Sequence, residues 1–291
     1  MRLLVTGGSG FIGSHVVDAL IAANHEVVVY DQSKSTYFNE RATFIEGDIN
    51  DEEALLSTSK GCDVIYHFAA IADIGEAISK PAKTFQVNVM GTLNVLEAAR
   101  QNDIKRVIFA SSIYVYSNKG AFYRTSKRTC EELIEDYNSE FGLNYTILRF
   151  GSLYGPRADE SNSVYQLISQ ALASNSMTYK GTGSEKREYI HALDGAGAAV
   201  EILSPEFNNQ IIHLTGHERM TTRDMMEMIA EILGSNVDIK VNEGEMTAHY
   251  FQTPYSYTPK LGRKLVRNSY IDIGLGLLDL IERHDQKAGD E

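Results

Sequence analysis

Hydrophobic and polar positions follow two alternating patterns in the first half of the chain. Short continuous apolar runs, such as Val27-Val28-Val29-Tyr30, are typical of strands covered on both faces. Longer segments with helical spacing of apolar residues lie between these runs. The pattern predicts strands at 2–6, 26–30, 43–46, 63–67, 105–110 and 143–149, and helices at 11–23, 51–59, 82–101 and 122–141. This alternation predicts an α/β fold with a doubly wound parallel sheet and a ligand beyond the carboxyl ends of its strands.

The pattern changes after Arg149. Residues 151–163 are rich in Gly, Pro, Ser, Asn and charged residues, which predicts a long loop. The elements predicted beyond it are shorter: helices near 163–174, 192–203, 221–233 and 271–284, and strands near 176–180 and 237–241. We therefore predict a doubly wound domain at 1–150 and a smaller α/β C-terminal lobe at 151–291, partly interleaved with the first.

A glycine-rich turn joins the first predicted strand to the first predicted helix. Glycines occupy positions 7, 8, 10 and 13. Such a turn lets the backbone approach a pyrophosphate at the positive end of a helix. The next strand is followed by Asp31, and a carboxylate about 20 residues further on binds the ribose hydroxyls of a dinucleotide. This predicts a dinucleotide (Rossmann) site in residues 1–150. Asp31 favours NAD over NADP, although the nearby Lys34 could soften that preference.

Candidate chemistry lies at the start of the predicted helix 122–141. Tyr123 and Lys127 are four residues apart and therefore project from one helix face. A cation beside a phenol favours the phenolate and lowers its pKa from about 10. Such a tyrosine exchanges a proton with a substrate hydroxyl, and Ser112, at the end of the preceding strand, would donate to the same oxygen. Ser112, Tyr123 and Lys127 are therefore the candidate catalytic residues.

Composition and charge exclude several other classes of protein. The chain has 291 residues, 43% of them hydrophobic, and a formal net charge of −12, which argues against binding to nucleic acid or to an anionic membrane. Cys62 and Cys130 belong to no Cys-x-x-Cys or Cys/His cluster, so we predict neither a disulfide scaffold nor a metal site. No run of 18 apolar residues and no signal peptide are apparent, so we expect a cytoplasmic protein.

The motifs together resemble the extended short-chain dehydrogenase/reductase group, and within it the NAD-dependent epimerase/dehydratase family that acts on sugar nucleotides. The resemblance covers nearly the whole chain. It is carried by residues 6–13, 47–49, 67–70, 87–92, 111–116, 123–127, 149–157 and 187–194.

The resemblance implies NAD as cofactor and a nucleotide sugar as substrate. The cofactor contacts that it implies, together with Asp31, are Gly7, Gly10, Phe11, Ile12, Gly13, Asp48, Ile49, Phe68, Ala69, Ala70, Asn88, Tyr123 and Lys127. It implies substrate contacts at Ser152, Arg157 and Arg187, with Arg187 gripping the diphosphate. It also implies a homodimer in which the helices at 82–101 and 122–141 pair with their copies.

The chain departs from the family pattern at several positions. Only eleven positions separate Ser112 from Tyr123, where relatives carry a longer loop, and this predicts a pocket with one wall open. Ile113 and Tyr114 occupy the positions at which dehydratases carry an Asp-Glu pair and decarboxylases a Glu. Ser152 replaces an asparagine of the family. No arginine lies between residues 223 and 263, where many relatives supply a second diphosphate ligand.

These observations favour NAD-dependent epimerisation of a nucleotide-activated sugar, at C4 through a keto intermediate. An NAD(P)-dependent keto-sugar reductase or dehydrogenase, or an atypical dehydratase, is the alternative, because the short loop and the single anion ligand also fit a smaller substrate. A non-catalytic dinucleotide-sensing protein is a third possibility, which the intact Tyr-x-x-x-Lys motif disfavours.

Other conspicuous residues are assigned structural roles. We expect His67 and His191 to be structural, the methionines at 225, 226 and 228 to lie in a helix core, and the acidic run 131–136 to form a solvated helix face. The tyrosines at 250, 255 and 257 either line a sugar pocket or pack in the protein interior.

Overall fold

The computed structural model of the protein describes residues 1–217, 219–234, 236–242 and 248–257. Its strands are β1 (Arg2–Thr6), β2 (Glu26–Asp31), β3 (Thr43–Glu46), β4 (Val64–His67), β5 (Arg106–Ser112), β6 (Asn144–Phe150), β7 (Ser152–Tyr154), β8 (Ser176–Lys180), β9 (Lys186–His191), β10 (Gln210–Leu214), β11 (Arg219–Thr221) and β12 (Asp238–Asn242). Its α-helices are α1 (Phe11–Ala22), α2 (Glu52–Ser59), α3 (Ile74–Ser79), α4 (Pro81–Phe85), α5 (Gly91–Gln101), α6 (Ala121–Phe141), α7 (Ser163–Ser174), α8 (Ala192–Glu201) and α9 (Thr222–Ile232).

A seven-stranded sheet in the order β10-β6-β5-β4-β1-β2-β3 forms the centre of the described structure. All of its strand pairs are parallel. The six strands predicted from the apolar runs are present at their predicted places, and the predicted α/β fold with a doubly wound parallel sheet is confirmed. The order of its first six strands reverses between β1 and β4, which is where such sheets open a crevice for a ligand.

Helices cover both faces of this sheet. On one face α2, α5 and α6 bury side chains such as Leu55, Leu96 and Ile134. On the other face α1 and α8 contribute side chains such as Leu20 and Ala199. Because both faces are covered, the five inner strands β1, β2, β4, β5 and β6 bury most of their residues, which explains why they appear in the sequence as apolar runs.

Several elements differ from the predicted ones. The helix predicted at 82–101 is α4 and α5 joined by a π-helical turn at Gln86–Met90. The loop predicted at 151–163 contains β7, and α3, β9, β10 and β11 were not predicted. β7 and β11 have only three residues each, and β10 is a half-buried edge strand. None of these three strands therefore gives a strong apolar pattern in the sequence. The helix predicted near 271–284 lies outside the described residues.

The elements after β6 serve two different cores. Helices α7 and α9 pack with β8 and β12 around the fully buried Met177 and Met226. By contrast, α8 packs on α1, and β10 pairs with β6 in the large sheet. The division at residue 150 stays a prediction. Met225 and Met226 lie in the predicted helix core, but Met228 is 44% exposed, so its predicted burial is wrong.

A buried ion pair joins α6 to β6. The Arg149 guanidinium donates to both carboxylate oxygens of Glu131, at 3.0 and 2.5 Å, and the Ser111 hydroxyl donates to the same carboxylate at 2.5 Å. Both charged side chains are only 5% exposed. Glu131 is therefore not part of a solvated acidic face, as the sequence predicted for 131–136, because Arg149 neutralises it in the interior.

None of the described helices is both long and apolar enough to cross a membrane. The cytoplasmic location stays a prediction.

Replacing Glu131 should test how much the fold depends on this pair. Glu131→Ala leaves the Arg149 guanidinium buried without its counter-charge, so we expect the free energy of unfolding to fall by about 3–5 kcal/mol. Urea denaturation followed by circular dichroism measures this loss. Glu132→Ala, at an exposed position of the same helix, is the matched control and should change stability by less than about 0.5 kcal/mol. Equal losses in the two variants would contradict the expectation.

Candidate active site

The glycine-rich turn between β1 and α1 is closely packed against neighbouring backbone. Gly7 has a φ of +71°, and a Cβ atom at this position would lie 2.4 Å from the backbone nitrogen of Ala69. A Cβ on Gly13 would lie 2.1 Å from the carbonyl oxygen of Gly7. Larger side chains are therefore excluded at both positions, and the backbone of the turn remains accessible to a ligand.

The N-terminus of α1 lacks a side-chain cap, and the Asp31 carboxylate accepts a hydrogen bond from the Ser9 N–H just before it. Its N-cap is Gly10, which offers no side-chain cap, and the first turn holds no acidic residue. The free backbone N–H groups and the helix dipole therefore present positive charge at the turn. The Ser9 hydroxyl oxygen beside them is buried without a hydrogen-bond partner in the described structure. Both features fit the binding of an anion here.

A cavity of about 590 Å³ opens above this turn. Most of the predicted cofactor contacts line it: Gly7, Gly10, Asp31, Asp48, Ile49, Phe68, Ala69 and Ala70. Other lining residues were not predicted, among them Ser9, Gln32, Glu76, Lys83 and Gln86. Among the described residues that line the cavity, Lys83 is the only basic one. It belongs to none of the quoted motifs, and only the folding of α4 beside the cavity brings it there.

Asp31 is held at the rim of the cavity by backbone hydrogen bonds. The Ser9 N–H donates to its carboxylate at 2.9 Å, and the Gln32 N–H donates to it at 2.7 Å. Lys34 donates a hydrogen bond to Glu40 at 3.0 Å and lies over the ring of Phe38. Its charge was the one expected to weaken the preference of Asp31 for NAD over NADP. The negative charge of Asp31 is therefore not paired with Lys34.

Asp48 is also fixed at the cavity. Its carboxylate accepts hydrogen bonds from the Gln32 side-chain amide at 3.0 Å and from the Asn50 N–H at 2.9 Å. These bonds hold the loop after β3 beside the end of β2, so Asp31 and Asp48 lie on the same side of the cavity.

Six of the predicted cofactor contacts are not among the residues that line the cavity: Phe11, Ile12, Gly13, Asn88, Tyr123 and Lys127. Phe11, Ile12 and Gly13 lie in the first turn of α1, and Gly13 is packed beneath Gly7. Asn88 is fully buried. Its side-chain oxygen accepts a hydrogen bond from the Ile71 N–H, and its side-chain NH₂ donates to the Ile71 carbonyl and to the Ser126 hydroxyl oxygen. Asn88 therefore ties the loop after β4 to α6, because its hydrogen-bonding groups are engaged within the protein.

Tyr123 and Ser112 are brought together at the carboxyl end of β5. Tyr123 is 9% exposed and packs against Ile74 and Ala77 of α3, the helix whose Glu76 lines the cavity. Burial raises the pKa of Tyr123 to about 12, while a hydrogen bond with Ser112 acts in the opposite direction. The short connection between the two residues therefore still places their hydroxyl groups in contact.

Lys127 is buried next to Tyr123 on α6 but does not lower the pKa of Tyr123. Its ammonium donates to the carbonyl oxygen of Ala110 at 2.7 Å and lies 4.6 Å from the centre of the Phe109 ring. Burial lowers the pKa of Lys127 to about 8. The predicted lysine-induced fall in the pKa of Tyr123 is wrong for the described structure, because burial raises this pKa and Lys127 is not among the groups that shift it.

Arg187 lies among tyrosines rather than carboxylates. It is 8% exposed, its guanidinium is 5.0 Å from the centre of the Tyr250 ring, and no described acidic residue lies within ion-pair distance. Tyr114 is a further neighbour, and its ring meets Tyr123 edge to face at 6.2 Å. A buried guanidinium without a counter-ion is a strong anion-binding group. The predicted anion ligand and the candidate catalytic tyrosine are therefore linked through Tyr114.

The other predicted substrate contacts are arranged differently. Arg157 forms an ion pair with Asp18 of α1 at 2.6 Å and lies over the Tyr37 ring. These contacts hold Arg157 on α1, and its predicted substrate contact stays a prediction. Ser152 lies opposite Tyr189 in the β7–β9 pair, one strand away from Arg187.

Both histidines expected to be structural are engaged within the protein. The imidazole of His67 is hydrogen-bonded to Thr6 at 2.7 Å and to Thr92 at 2.9 Å, and burial lowers the pKa of His67 to about 3. His191 accepts a hydrogen bond from the Leu193 N–H at the start of α8. These contacts agree with the structural roles expected for both side chains.

The wall left open by the short loop is covered by residues far along the chain. The Gly120 N–H donates to the carbonyl oxygen of Ala248 at 2.9 Å, and His249 and Tyr250 contact Tyr114. The predicted open wall is therefore wrong. Sequence reasoning named Tyr250 as a possible pocket residue but missed His249, which carries no motif.

Comparison with known proteins identifies relatives of the chain. Residues 3–214 match the model of the NAD dependent epimerase/dehydratase family. A putative UDP-glucose 4-epimerase of Methanocaldococcus jannaschii is 30% identical over 272 residues, which cover 85% of this chain and 88% of the relative. A UDP-N-acetyl-alpha-D-glucosaminuronate decarboxylase of Bacillus cytotoxicus is 29% identical over 82% of each chain.

The solved structures show the same fold. The crystal structure of UDP-glucose 4-epimerase from Thermotoga maritima with UDP-glucose superposes with a TM-score of 0.82. It is 28% identical in sequence, and the match covers 89% of this chain and 90% of that one.

The packing of the glycine turn predicts that two glycine-to-alanine variants differ in their free energy of unfolding. Gly13→Ala forces the new Cβ against the Gly7 carbonyl, so we expect a loss of about 1–3 kcal/mol in the free energy of unfolding. Gly197→Ala, in α8 with no atom within 4 Å of the added Cβ, should be neutral or stabilising by up to about 1 kcal/mol. Thermal and urea unfolding of both variants measure the difference. Similar stability of the two would show that the turn is more loosely packed.

Proposed function

The chain belongs to the NAD dependent epimerase/dehydratase family, and from this premise we propose that it epimerises a nucleotide-activated sugar at C4 with NAD as its cofactor. The observation that carries the proposal is that the buried Tyr123 and Ser112 meet at the carboxyl end of β5, where Tyr123 packs on α3, the helix whose Glu76 lines the cavity. The UDP-sugar 4-epimerases among the relatives support the same activity.

The described residues fit a bound dinucleotide. The glycine turn leaves no room for a Cβ at Gly7 or Gly13, the first turn of α1 holds no acidic residue, and the Ser9 hydroxyl beside it lacks a partner in the described structure. We assign the pyrophosphate to this turn and the adenosine ribose to Asp31, and the cation Lys83 also lines the cavity. Phe68, Ala69 and Ala70 would lie along the cofactor. When bound, NAD supplies oxidation and reduction at the sugar carbon, and the positive charge of its oxidised ring favours the phenolate.

The protein would contribute proton transfer and orientation. Tyr123 takes the proton of the 4-hydroxyl when that carbon is oxidised and returns it when the carbon is reduced. Ser112 donates a hydrogen bond to the same oxygen and favours the phenolate form of Tyr123. Lys127 would hold the ribose next to the reacting carbon. Arg187 would bind the sugar-nucleotide diphosphate, because its buried charge has no described counter-ion.

The residues that follow Ser112 argue against the other activities of the family. Elimination of water requires an acid and a base at the sugar. Ile113 is fully buried, and the ring of Tyr114 packs on Tyr250, so neither position offers a carboxylate. Epimerisation needs only the single proton carrier that Tyr123 provides.

Removing the Tyr123 hydroxyl tests the proposal. We expect Tyr123→Phe to lower kcat by about 10²–10⁴-fold, since the proton carrier is lost while the ring still packs. The assay follows interconversion of UDP-glucose and UDP-galactose by chromatography. Tyr165→Phe, at an exposed position of α7, is the matched control and should retain full activity.

Three outcomes would contradict this function. Net consumption of added NADH or NADPH without epimer formation would favour a reductase. Full activity of Tyr123→Phe would exclude the tyrosine as the proton carrier. Inactivity of the wild type toward a panel of nucleotide sugars, with dinucleotide still bound, would favour a sensing protein.

The role of Ser112 predicts a change in pH dependence. Because the Ser112 hydrogen bond lowers the pKa of Tyr123, Ser112→Ala should raise that pKa and leave less phenolate at any given pH. We expect the rising limb of kcat/KM to move to higher pH and activity at neutral pH to fall by about ten- to a hundredfold. Ser139→Ala, exposed on α6, provides the control for the pH–rate profile. An unshifted profile would remove Ser112 from proton transfer.

We also propose a homodimer formed through α5 and α6. The apolar side chains of Met90 and Phe122, at the N-terminal ends of these helices, are each 42% exposed and support an association there. Light scattering coupled to size exclusion should give about twice the chain mass of 32.3 kDa. A mass of one chain across the micromolar range would contradict this expectation.

A further inference from the structure

A late segment of the chain replaces the missing loop next to Tyr123. Residues 248–253 run from the turn before α6 to β9. At one end the Gly120 N–H donates to Ala248 at 2.9 Å, and at the other end Phe251 and Thr253 exchange backbone hydrogen bonds with Lys186, at 2.8 and 3.2 Å. The segment is therefore held on both sides of the site and places its side chains between Tyr123 and Arg187.

Two side chains form a hydrogen-bonded pair at this place. Tyr114 and His249 approach to 2.6 Å between the phenol oxygen and Nδ1. The Tyr114 ring is also packed on Tyr250, with 4.6 Å between the ring centres, and it meets Tyr123 edge to face. Tyr114 is thus fixed by its ring, and its hydroxyl is aligned by a histidine from another part of the chain.

Burial favours the neutral forms of both members of the pair. Burial raises the pKa of Tyr114. Burial, followed by the charge of Arg187, lowers the pKa of His249, and Asp73 opposes this change. A neutral phenol and a neutral imidazole both donate and accept hydrogen bonds, which is the chemistry that binds a sugar hydroxyl.

The charges around the pair disfavour an anionic sugar. The described charged groups that act on His249 are Arg187 and Asp73. Arg187 is engaged if it binds the diphosphate, and Asp73, the exposed N-cap of α3, supplies no positive charge. A sugar carboxylate would be desolvated here without a counter-ion, which is costly.

We propose that Tyr114 and His249 bind the hydroxyl groups of an uncharged hexose, so that the enzyme accepts neutral nucleotide sugars and rejects uronates. This inference rests on the proposed function and specifies its substrate class. The segment 248–253 then does what the longer loop of relatives would do, and Tyr114 is a positioning residue rather than an acid or base.

Binding measurements separate this role from catalysis. The Tyr123→Phe variant is used because its turnover is slow. Calorimetric titrations of this variant with UDP, UDP-glucose and UDP-glucuronate measure how much each sugar adds to the binding affinity of UDP. We expect UDP-glucose to bind about tenfold more tightly than UDP, and UDP-glucuronate no more tightly than UDP. Adding Tyr114→Phe should remove the tenfold gain for UDP-glucose and leave the affinity for UDP unchanged. His249→Gln should give the same result, and Tyr165→Phe should give none.

Each contrary outcome overturns a distinct statement. UDP-glucuronate binding as tightly as UDP-glucose would overturn the neutral substrate class. Equal loss of UDP and UDP-glucose affinity in Tyr114→Phe would show that the pair only maintains the structure, and would overturn its role. If sugar affinity depends on Tyr114 but no sugar is epimerised, the proposed function fails while the pair keeps its assignment. If epimerisation proceeds with no dependence of sugar affinity on Tyr114, the function stands and the inference fails.

Discussion

The buried ion pair between Glu131 and Arg149 is the constraint on which the geometry of the site depends. It lies in the interior, where an unpaired charge would be costly, so α6 cannot shift along the sheet without breaking it. Ser111 adds a third bond from β5 to the same carboxylate. The next residue along β5 is Ser112, and one face of α6 carries both Glu131 and Tyr123. The pair therefore fixes the two hydroxyl groups that are in contact at the end of β5.

The same arginine extends the network to later parts of the chain. Arg149 also contacts the hydroxyl group of Tyr116, and the hydroxyl of Tyr257 lies 3.3 Å from its guanidinium. One cation thus connects β6, the turn after β5 and Tyr257. The Tyr257 side chain contacts this network but is 49% exposed, so its predicted role stays a prediction.

Burial disfavours the charged forms of the two main titratable groups of the site. It raises the pKa of Tyr123 to about 12 and lowers the pKa of Lys127 to about 8, because each charged form would lose its hydration. Hydrogen bonding with Ser112 acts against this effect for the phenol. A site of this kind responds strongly to any charge that a ligand introduces, since little solvent is present to screen it.

The sequence by itself determined the sheet, the glycine turn and the candidate catalytic residues. These features are local: strand burial on both faces gives continuous apolar runs, and the turn needs glycine wherever backbone meets backbone, as at Gly7. The tertiary structure decided which charges are free and what encloses the site. The sequence does not reveal that Glu131 is neutralised by Arg149, that Arg157 is taken by Asp18, or that His249 meets Tyr114 from 135 positions away. Such pairings join distant segments, and no local spacing records them.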